Sequence, residues 1–292
     1  MPIYYPDILQ QESAPRTFSY ADKDIMLYAL GIGLGADPLD ERELRFVYEK
    51  DLKVVPTAAT VLAANSRATR EERRVPDGLR PSQINYLMVV HGEQKVELHR
   101  PLPASATFTA TSRVIGAYDK GKEKGAVIVN ETVWTDESGQ KVATLTGSTF
   151  ARGDGGFGGP STGAPEPHAP PTRAPDLSLD FTTRADQALL YRLNGDRNPL
   201  HSDPQVAKMA GFDRPILHGL CTYGVTCRAV LAGITDYDPD VIASHEVRFS
   251  APVFPGDTIT VDLWRDGKTV SFEARVKARG VTVIKNGKSV LR

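Results

Sequence analysis

Cysteine is scarce: Cys221 and Cys227 are the only two in 292 residues. They stand six apart in an apolar, helix-like segment, which turns them about 600° around a helix axis. A disulfide between them is not expected, and no further cysteines exist to complete a zinc site. Two buried thiols in a reducing compartment is the reading that remains. An excess of one charge sign is also missing. The net charge is −1, so nothing in the composition draws the chain to nucleic acid or to an anionic membrane surface. No apolar run approaches the length of a membrane span. The opening "MPIYYPDILQQESAPRTFSY" lacks the basic region and apolar run of a secretory signal, and "GKSVLR" is not a Ser-Lys-Leu peroxisomal address. A cytoplasmic protein with no membrane or nucleic-acid partner is the expectation.

Two familiar chemistries are missing as well. "GIGLG" and "GFGG" do not sit in a strand–turn–helix unit and so are not phosphate-binding loops. No serine or cysteine stands in a nucleophile elbow.

What the chain does contain is one pattern written twice. "YADKDIMLYALGIG" (20–33) and "TRADQALLYRLNGD" (183–196) both end a helical pattern on Leu-Tyr-x-Leu. "VELHRPLPASATFTATSRV" (96–114) and "VRFSAPVFPGDTITVDLWR" (247–265) are each an alternating strand, a proline-broken turn and a second alternating strand. Hairpin turns are predicted at "DESG" (136–139) and at "NG" (286–287). A period of half the chain means two sibling domains rather than a solenoid. The boundaries are 1–151 and 178–292, joined by a Gly/Pro-rich linker at 152–177 that cannot bury enough apolar area to fold alone. His168 lies in that linker and is expected to be an exposed bystander.

In the second half, "HGLCTYGVTCRAVLAGI" (218–234) is apolar on most sides. A helix of that kind must be wrapped, and an antiparallel sheet curled around it does so. Strands at Val247–Phe249, Thr258–Leu263 and Val270–Val276 supply the wrap. The fold class is therefore α+β: two antiparallel sheets, each around a central helix, joined side by side through their edges.

The chemistry concentrates in "LNGDRNPLHSDP". Asn194-Gly195 stops the preceding helix, and Asn198-Pro199 holds Asn198 out of the helical region. Asp196, Asn198 and His201 then share a compact loop that can aim a carboxylate and an imidazole at one point. The first half carries "GIGLGADPLDERELRF" at the matching place, without the Asp-x-Asn-x-x-His arrangement. A constellation needed to build the fold would be needed in both copies; one found in a single copy points to chemistry. Asp203, before Pro204, reads as the N-cap of the next helix. Gly219 opens the apolar helix, where unpaired N–H groups and the positive dipole end meet, and Gly lets a ligand approach the backbone as an oxyanion would need. His218 reads as a helix-capping or positioning residue.

These residues carry a family resemblance. "YRLNGDRNPLHSDPQVAKMAGF", with "YLMVVHGEQKVELHRPLP", "YDKGKEKGAVI" and "VRFSAPVFPGD", closely resembles the R-specific enoyl-CoA hydratases, or MaoC-like dehydratases, whose two-domain members are double hot-dogs. The resemblance implies that Asp196 and His201 are the catalytic pair, that Asn198 helps hold the water, and that the Gly219 N–H meets the thioester oxygen. It further implies that His91, Gly92, Lys120 and Phe249 line the acyl-thioester site, although "DKGKEKGA" is longer than the family's usual basic loop. The implied reaction is syn hydration of trans-2-enoyl-CoA to the (3R)-3-hydroxyacyl product, with an acyl-CoA thioester as substrate and without cofactor or metal. The first half would be the degenerate copy that accommodates the acyl tail. A 3-hydroxyacyl carrier-protein dehydratase, a thioesterase and a non-catalytic acyl-binding scaffold are the other readings. Which of Asp196 and His201 deprotonates the water, and whether the chain forms a homodimer, stay open at this level.

Overall fold

The computed structural model describes residues 3–65, 73–74, 78–80, 82–84 and 89–292. Residues 86–88 of the segment "YLMVVHGEQ" lie outside the described residues.

The first half begins with β1 (Glu12–Ser13) and β2 (Arg16–Tyr20), followed by α1 (Asp22–Gly31), α2 (Glu41–Leu44) and α3 (Ala59–Asn65). After β3 (Arg73–Arg74) come β4 (Val89–Leu98), β5 (Ala106–Asp119), β6 (Ala126–Thr135) and β7 (Lys141–Ala151). The second half repeats the order: β8 (Leu177–Thr182), α4 (Gln187–Tyr191), α5 (Pro204–Met209), α6 (Gly219–Gly233), then β9 (Ile242–Phe249), β10 (Thr258–Asp266), β11 (Thr269–Val276) and β12 (Val281–Leu291).

Within the sheet the duplication becomes a topology. The strands run β2-β5-β6-β7-β4 in one half and β9-β12-β11-β10-β8 in the other, with β1 added beside β5 and β3 beside β1. The halves meet where β4 pairs antiparallel with β9, from Glu93 opposite Arg248 to Glu97 opposite Ser244. Each half thus hides an edge that would otherwise be open to association. This is the double hot-dog arrangement.

The prediction of a wrapped helix holds. Ten of the residues in α6 are buried, among them Cys221, Tyr223, Val225, Cys227, Val230 and Leu231, and both cysteines are free thiols. The sheet grips this helix through a buried polar knot. Tyr223 donates its hydroxyl to the His245 carbonyl at 2.7 Å. Thr226 spends its only proton on the Tyr223 carbonyl, so it accepts from His245 Nε2 at 2.9 Å. His245 Nδ1 must then accept from the Ser289 hydroxyl at 2.6 Å. The ring lies flat on Phe272, at 11° and 4.7 Å. One neutral tautomer satisfies every polar atom of the ring, and burial pushes its pKa down to about 3.

A second tie joins the halves. Arg228 of α6 forms a buried ion pair with Glu43 of α2 at 2.7 Å, and Glu43 also accepts from the Gly35 N–H. The helix is held both by its own sheet and by the irregular excursion of the first half.

Two sequence expectations need correction. Asn286-Gly287 is not a hairpin turn but a bulge inside β12, where pairing shifts between Lys285 and Lys288. Asn286 takes the left-handed conformation at φ 56°, and its amide donates to the His168 carbonyl at 2.7 Å. A Cβ at Gly287 would sit 2.3 Å from Phe272, so the glycine permits close approach rather than a chain reversal. The nearby reversal is instead at Gly267, between β10 and β11. His168 is no exposed bystander either. It is half-buried, with Nε2 2.8 Å from the Ser271 hydroxyl, and it fastens the Gly/Pro-rich segment across β11 and β12. The turn at 136–140 follows the prediction, with Asp136 accepting from Ser138 and Gln140.

Candidate active site

The loop between α4 and α5 is shaped by its own short-range chemistry. After α4 a single 3-10 turn, Arg192–Asn194, ends on Gly195 at φ 111°. The Asp196 carboxylate accepts from the Asn198 N–H at 3.1 Å. The Asn198 side chain caps the next turn, Pro199–His201, by accepting from Leu200 N–H at 3.0 Å. Asp203 caps α5 through the N–H groups of Gln205 and Val206, with Pro204 in the first turn. Two consecutive Asx turns therefore fold this segment before any long-range contact is made.

The loop delivers His201 to the interior. The residue is 8% exposed, and Nδ1 lies 2.9 Å from the Ile216 carbonyl. A carbonyl can only accept, so Nδ1 carries the proton and Nε2 presents a lone pair. Burial lowers the His201 pKa below the ordinary imidazole value, opposed by the Ile216 carbonyl and by the Asp196 charge. Asp196 itself is exposed. The pair is thus buried on the imidazole side and open to solvent at the carboxylate.

His218, 1% exposed, completes a cluster with these two. The donor or acceptor atoms of Asp196, His201 and His218 lie within 4.8 Å of one another. Such a trio could in principle hold a metal ion. However, the two imidazoles are stacked, at 3.8 Å and 28°, and each has one ring nitrogen taken up by a main-chain carbonyl. A shared ion needs lone pairs that converge, and the arrangement suits proton handling better.

His218 sits at the N-cap position of α6, yet its side chain makes no capping bond. Its main-chain carbonyl receives Cys221 and Thr222 N–H, while the ring reaches back to the Asp196 loop. The next residue, Gly219, starts the helix. Phe249 from β9 lies over it, 3.4 Å from where a Cβ would stand. Phe249 also contacts the His91 ring at 4.8 Å. His91 is half-buried with its pKa lowered, first by burial, while Asp196 acts on it in the opposite sense. So Asp196, His201, Gly219, Phe249 and His91, drawn from both halves, share one region at the β4–β9 seam.

Of the other sequence candidates, Gly92 follows His91 in β4 and Asn198 lies in the Asp196–His201 loop, whereas Lys120 is set apart. Gly92 marks the bulge in β4, where pairing with β7 shifts between His91 and Glu93. A Cβ there would meet Ser148 Oγ at 2.7 Å, so close strand approach accounts for the glycine. Lys120 lies at the end of β5, three strands from β4 in the sheet, roughly 14 Å at ordinary strand spacing. Its ammonium donates to the Ser161 carbonyl. Asn198 is exposed and its side-chain oxygen is occupied by the cap. Sequence spacing gave no signal for Tyr191, whose ring packs against that of His218 at 5.0 Å.

Comparison with known proteins identifies the family. Residues 18–153 match the MFE-2 hydratase 2 N-terminal domain, and residues 167–287 match the MaoC like domain. Enoyl-CoA hydratase ChsH3 of Mycobacterium tuberculosis is 41% identical, covering 98% of this chain and 98% of its own. The peroxisomal enoyl-CoA hydratase 2 of Arabidopsis thaliana is 37% identical over 95% of this chain and 93% of its own. The crystal structure of a MaoC-like dehydratase from Phytophthora capsici superposes with a TM-score of 0.87 at 37% identity, covering 99% of each chain. With its duplicated sheet, its single Asp-x-Asn-x-x-His loop and full-length relatives at this identity, the chain belongs to the MaoC-like dehydratase family, in the branch that pairs this domain with a hydratase 2 N-terminal domain.

Proposed function

We propose that the protein is a hydro-lyase that adds water reversibly across the double bond of a trans-2-enoyl-CoA, giving the (3R)-3-hydroxyacyl-CoA. The observation that carries this reading is an acid–base pair beside the start of a buried helix. Asp196 and His201 come within reach of one small molecule, and Gly219 opens α6 next to them.

The chemistry needs three groups. One takes a proton from water as the water oxygen bonds to C3. A second delivers a proton to C2. A third receives negative charge that develops on the thioester oxygen. His201, neutral and with Nε2 bare, is suited to hold and deprotonate the water. Asp196 acts with it as a coupled pair and the two share the proton traffic. The Gly219 N–H at the positive end of α6 is the donor for the thioester oxygen. Phe249 and His91 form the wall that orients the acyl group. The first domain, 1–151, gives room to the tail, and 178–292 carries the chemistry. Dehydration of a 3-hydroxyacyl thioester is the same reaction run backward through the same groups. We propose a cytoplasmic location, from the scarcity of cysteine in the chain.

Incubation with crotonyl-CoA tests the reading. Loss of enoyl absorbance with formation of (3R)-3-hydroxybutyryl-CoA and no free thiol is expected. Thiol release without the hydroxy product would replace it with a thioesterase.

Gly219→Ala is a sharper probe of the donor. The added methyl makes only ordinary contact with Phe249, and alanine favours a helix over glycine. The melting temperature should hold or rise while kcat falls by about 10- to 100-fold. An unchanged rate would mean that no ligand approaches the backbone closely at Gly219, whose N–H the variant keeps.

A further inference from the structure

We infer that His218 is a positioning residue for this reaction, locking the helix N-terminus, the Asp196 loop and the His201 ring into one rigid unit. The inference rests on the hydratase reading above and adds to it a residue that touches none of the reacting atoms.

Three contacts converge on this one residue, two through its side chain and one through its main chain. First, Nε2 lies 3.1 Å from the Asp196 main-chain carbonyl. The carbonyl accepts, so Nε2 carries the proton and the tautomer is fixed. This bond spans 22 residues and ties the exposed catalytic loop to the buried core. Second, the ring stacks on His201 at 3.8 Å. Among the described residues His201 is otherwise anchored only at Nδ1, and a single hydrogen bond leaves an imidazole free to tilt about it. The stacked ring removes that freedom. Third, the His218 main chain begins α6 and takes the Cys221 and Thr222 N–H groups, so the side chain that holds the acid–base pair is one residue from the proposed Gly219 donor. The distance between donor and acid–base pair is thereby set by one residue's backbone and ring.

The surroundings are consistent with a ring that never ionises during turnover. His218 is wedged between His201 and Tyr191. Its Nδ1 and the Tyr191 hydroxyl are buried without a hydrogen-bond partner among the described residues. The charged groups around it are His201, Asp196 and Arg192. Burial, and then the neighbouring His201, bring its pKa down to about 4. A neutral ring can lie under His201 while that residue gains and loses a proton. A cationic one would oppose the gain.

Three variants separate positioning from plain stability. His218→Gln places an amide N–H where Nε2 stands and restores the bond to Asp196 without the stack. His218→Phe keeps a ring and loses the bond. His218→Ala loses both. Misplacement of about 1 Å costs on the order of 100-fold in rate, so His218→Ala should lose about 100-fold in kcat on crotonyl-CoA with KM changed less than about threefold. His218→Gln should recover at least about tenfold over His218→Ala in the same measurement. Thermal melts establish that each variant is folded, and should His218→Ala fail to fold, the Gln and Phe variants decide. Wild-type kcat in His218→Ala, or in both the Gln and the Phe variants, overturns the inference. Wild-type protein inactive on crotonyl-CoA would instead overturn the hydratase reading itself.

Discussion

Asp196→Asn and His201→Asn should each lower kcat on crotonyl-CoA by about 100- to 10,000-fold, the range a positioned acid or base supplies, while the protein stays folded. Each variant keeps a local contact and removes a proton-handling group. An asparagine at 196 still offers an oxygen to the Asn198 N–H, the bond the carboxylate makes now. An asparagine at 201 can place its amide near the Ile216 carbonyl, where Nδ1 stands, but it has no counterpart of Nε2. KM should change little, because neither residue is part of the wall formed by Phe249 and His91. The two losses should not multiply. Both groups act on one water, and removing either already disables it, so the double variant should resemble the worse single one. Steady-state rates with melting curves check all three. Multiplicative losses would mean two independent sites. Near-wild-type rates in both single variants would remove the loop from the chemistry. The acid limb of kcat/KM belongs to the same test. On the proposed mechanism His201 works in its neutral form, and burial holds its pKa below the ordinary 6.5. Activity should therefore persist below pH 6.5 before it falls, and the limb should vanish in His201→Asn.

The second large effect is a loss of stability in mild acid. His245 is fully buried, and its neutral form is the one the Thr226 and Ser289 contacts fit. Its folded pKa is about 3 and that of His218 about 4, against about 6.5 for an unfolded imidazole. Above pH 6.5 both states are neutral and the contribution is complete. Below it the unfolded chain binds protons that the folded chain refuses. Stability then drops by about 1.4 kcal/mol per pH unit for each histidine, until the folded pKa is reached. The two together remove about 5 kcal/mol by pH 4.5. That is comparable with the whole stability of many domains, about 5–15 kcal/mol. Urea unfolding at pH 7.5, 6, 5 and 4.5 should show this decline. His245→Gln keeps an amide for Thr226 and does not titrate, so its decline should be about half as steep. Equal stability at pH 7.5 and 4.5 in the wild type would mean that water reaches both rings.

Much of the site was legible because it is built locally. Asp196, Asn198 and Asp203 each bond a backbone N–H two residues ahead, and Gly195 and Pro199 fix the dihedrals between them. Interactions of that range are written into adjacent letters. The wrapped helix was legible for a related reason: a segment apolar on most sides has few places to go except a core. Asn286-Gly287 shows the limit. Its dihedral preference was read rightly, since Asn286 is left-handed, but that conformation serves a bulge as well as a turn. The choice was made by Phe272 on the neighbouring strand and by the His168 carbonyl. Lys120 and Gly92 stand in stretches that resemble the family's acyl-thioester site, yet strand order sets Lys120 three strands from β4 and close strand approach explains Gly92.

By itself the sequence determined that two related halves exist, that each wraps a sheet around helical segments, and that only the second bears an acid–base loop. Those follow from composition, period and short-range bonding. The tertiary structure decided that β4 and β9 form the seam, that His91 and Phe249 from opposite halves meet there, and that the ring of His218 lies beneath His201 while holding the Asp196 carbonyl. These contacts join residues distant in the chain, and their energies depend on burial and stacking that exist only once the sheet has closed around the helix.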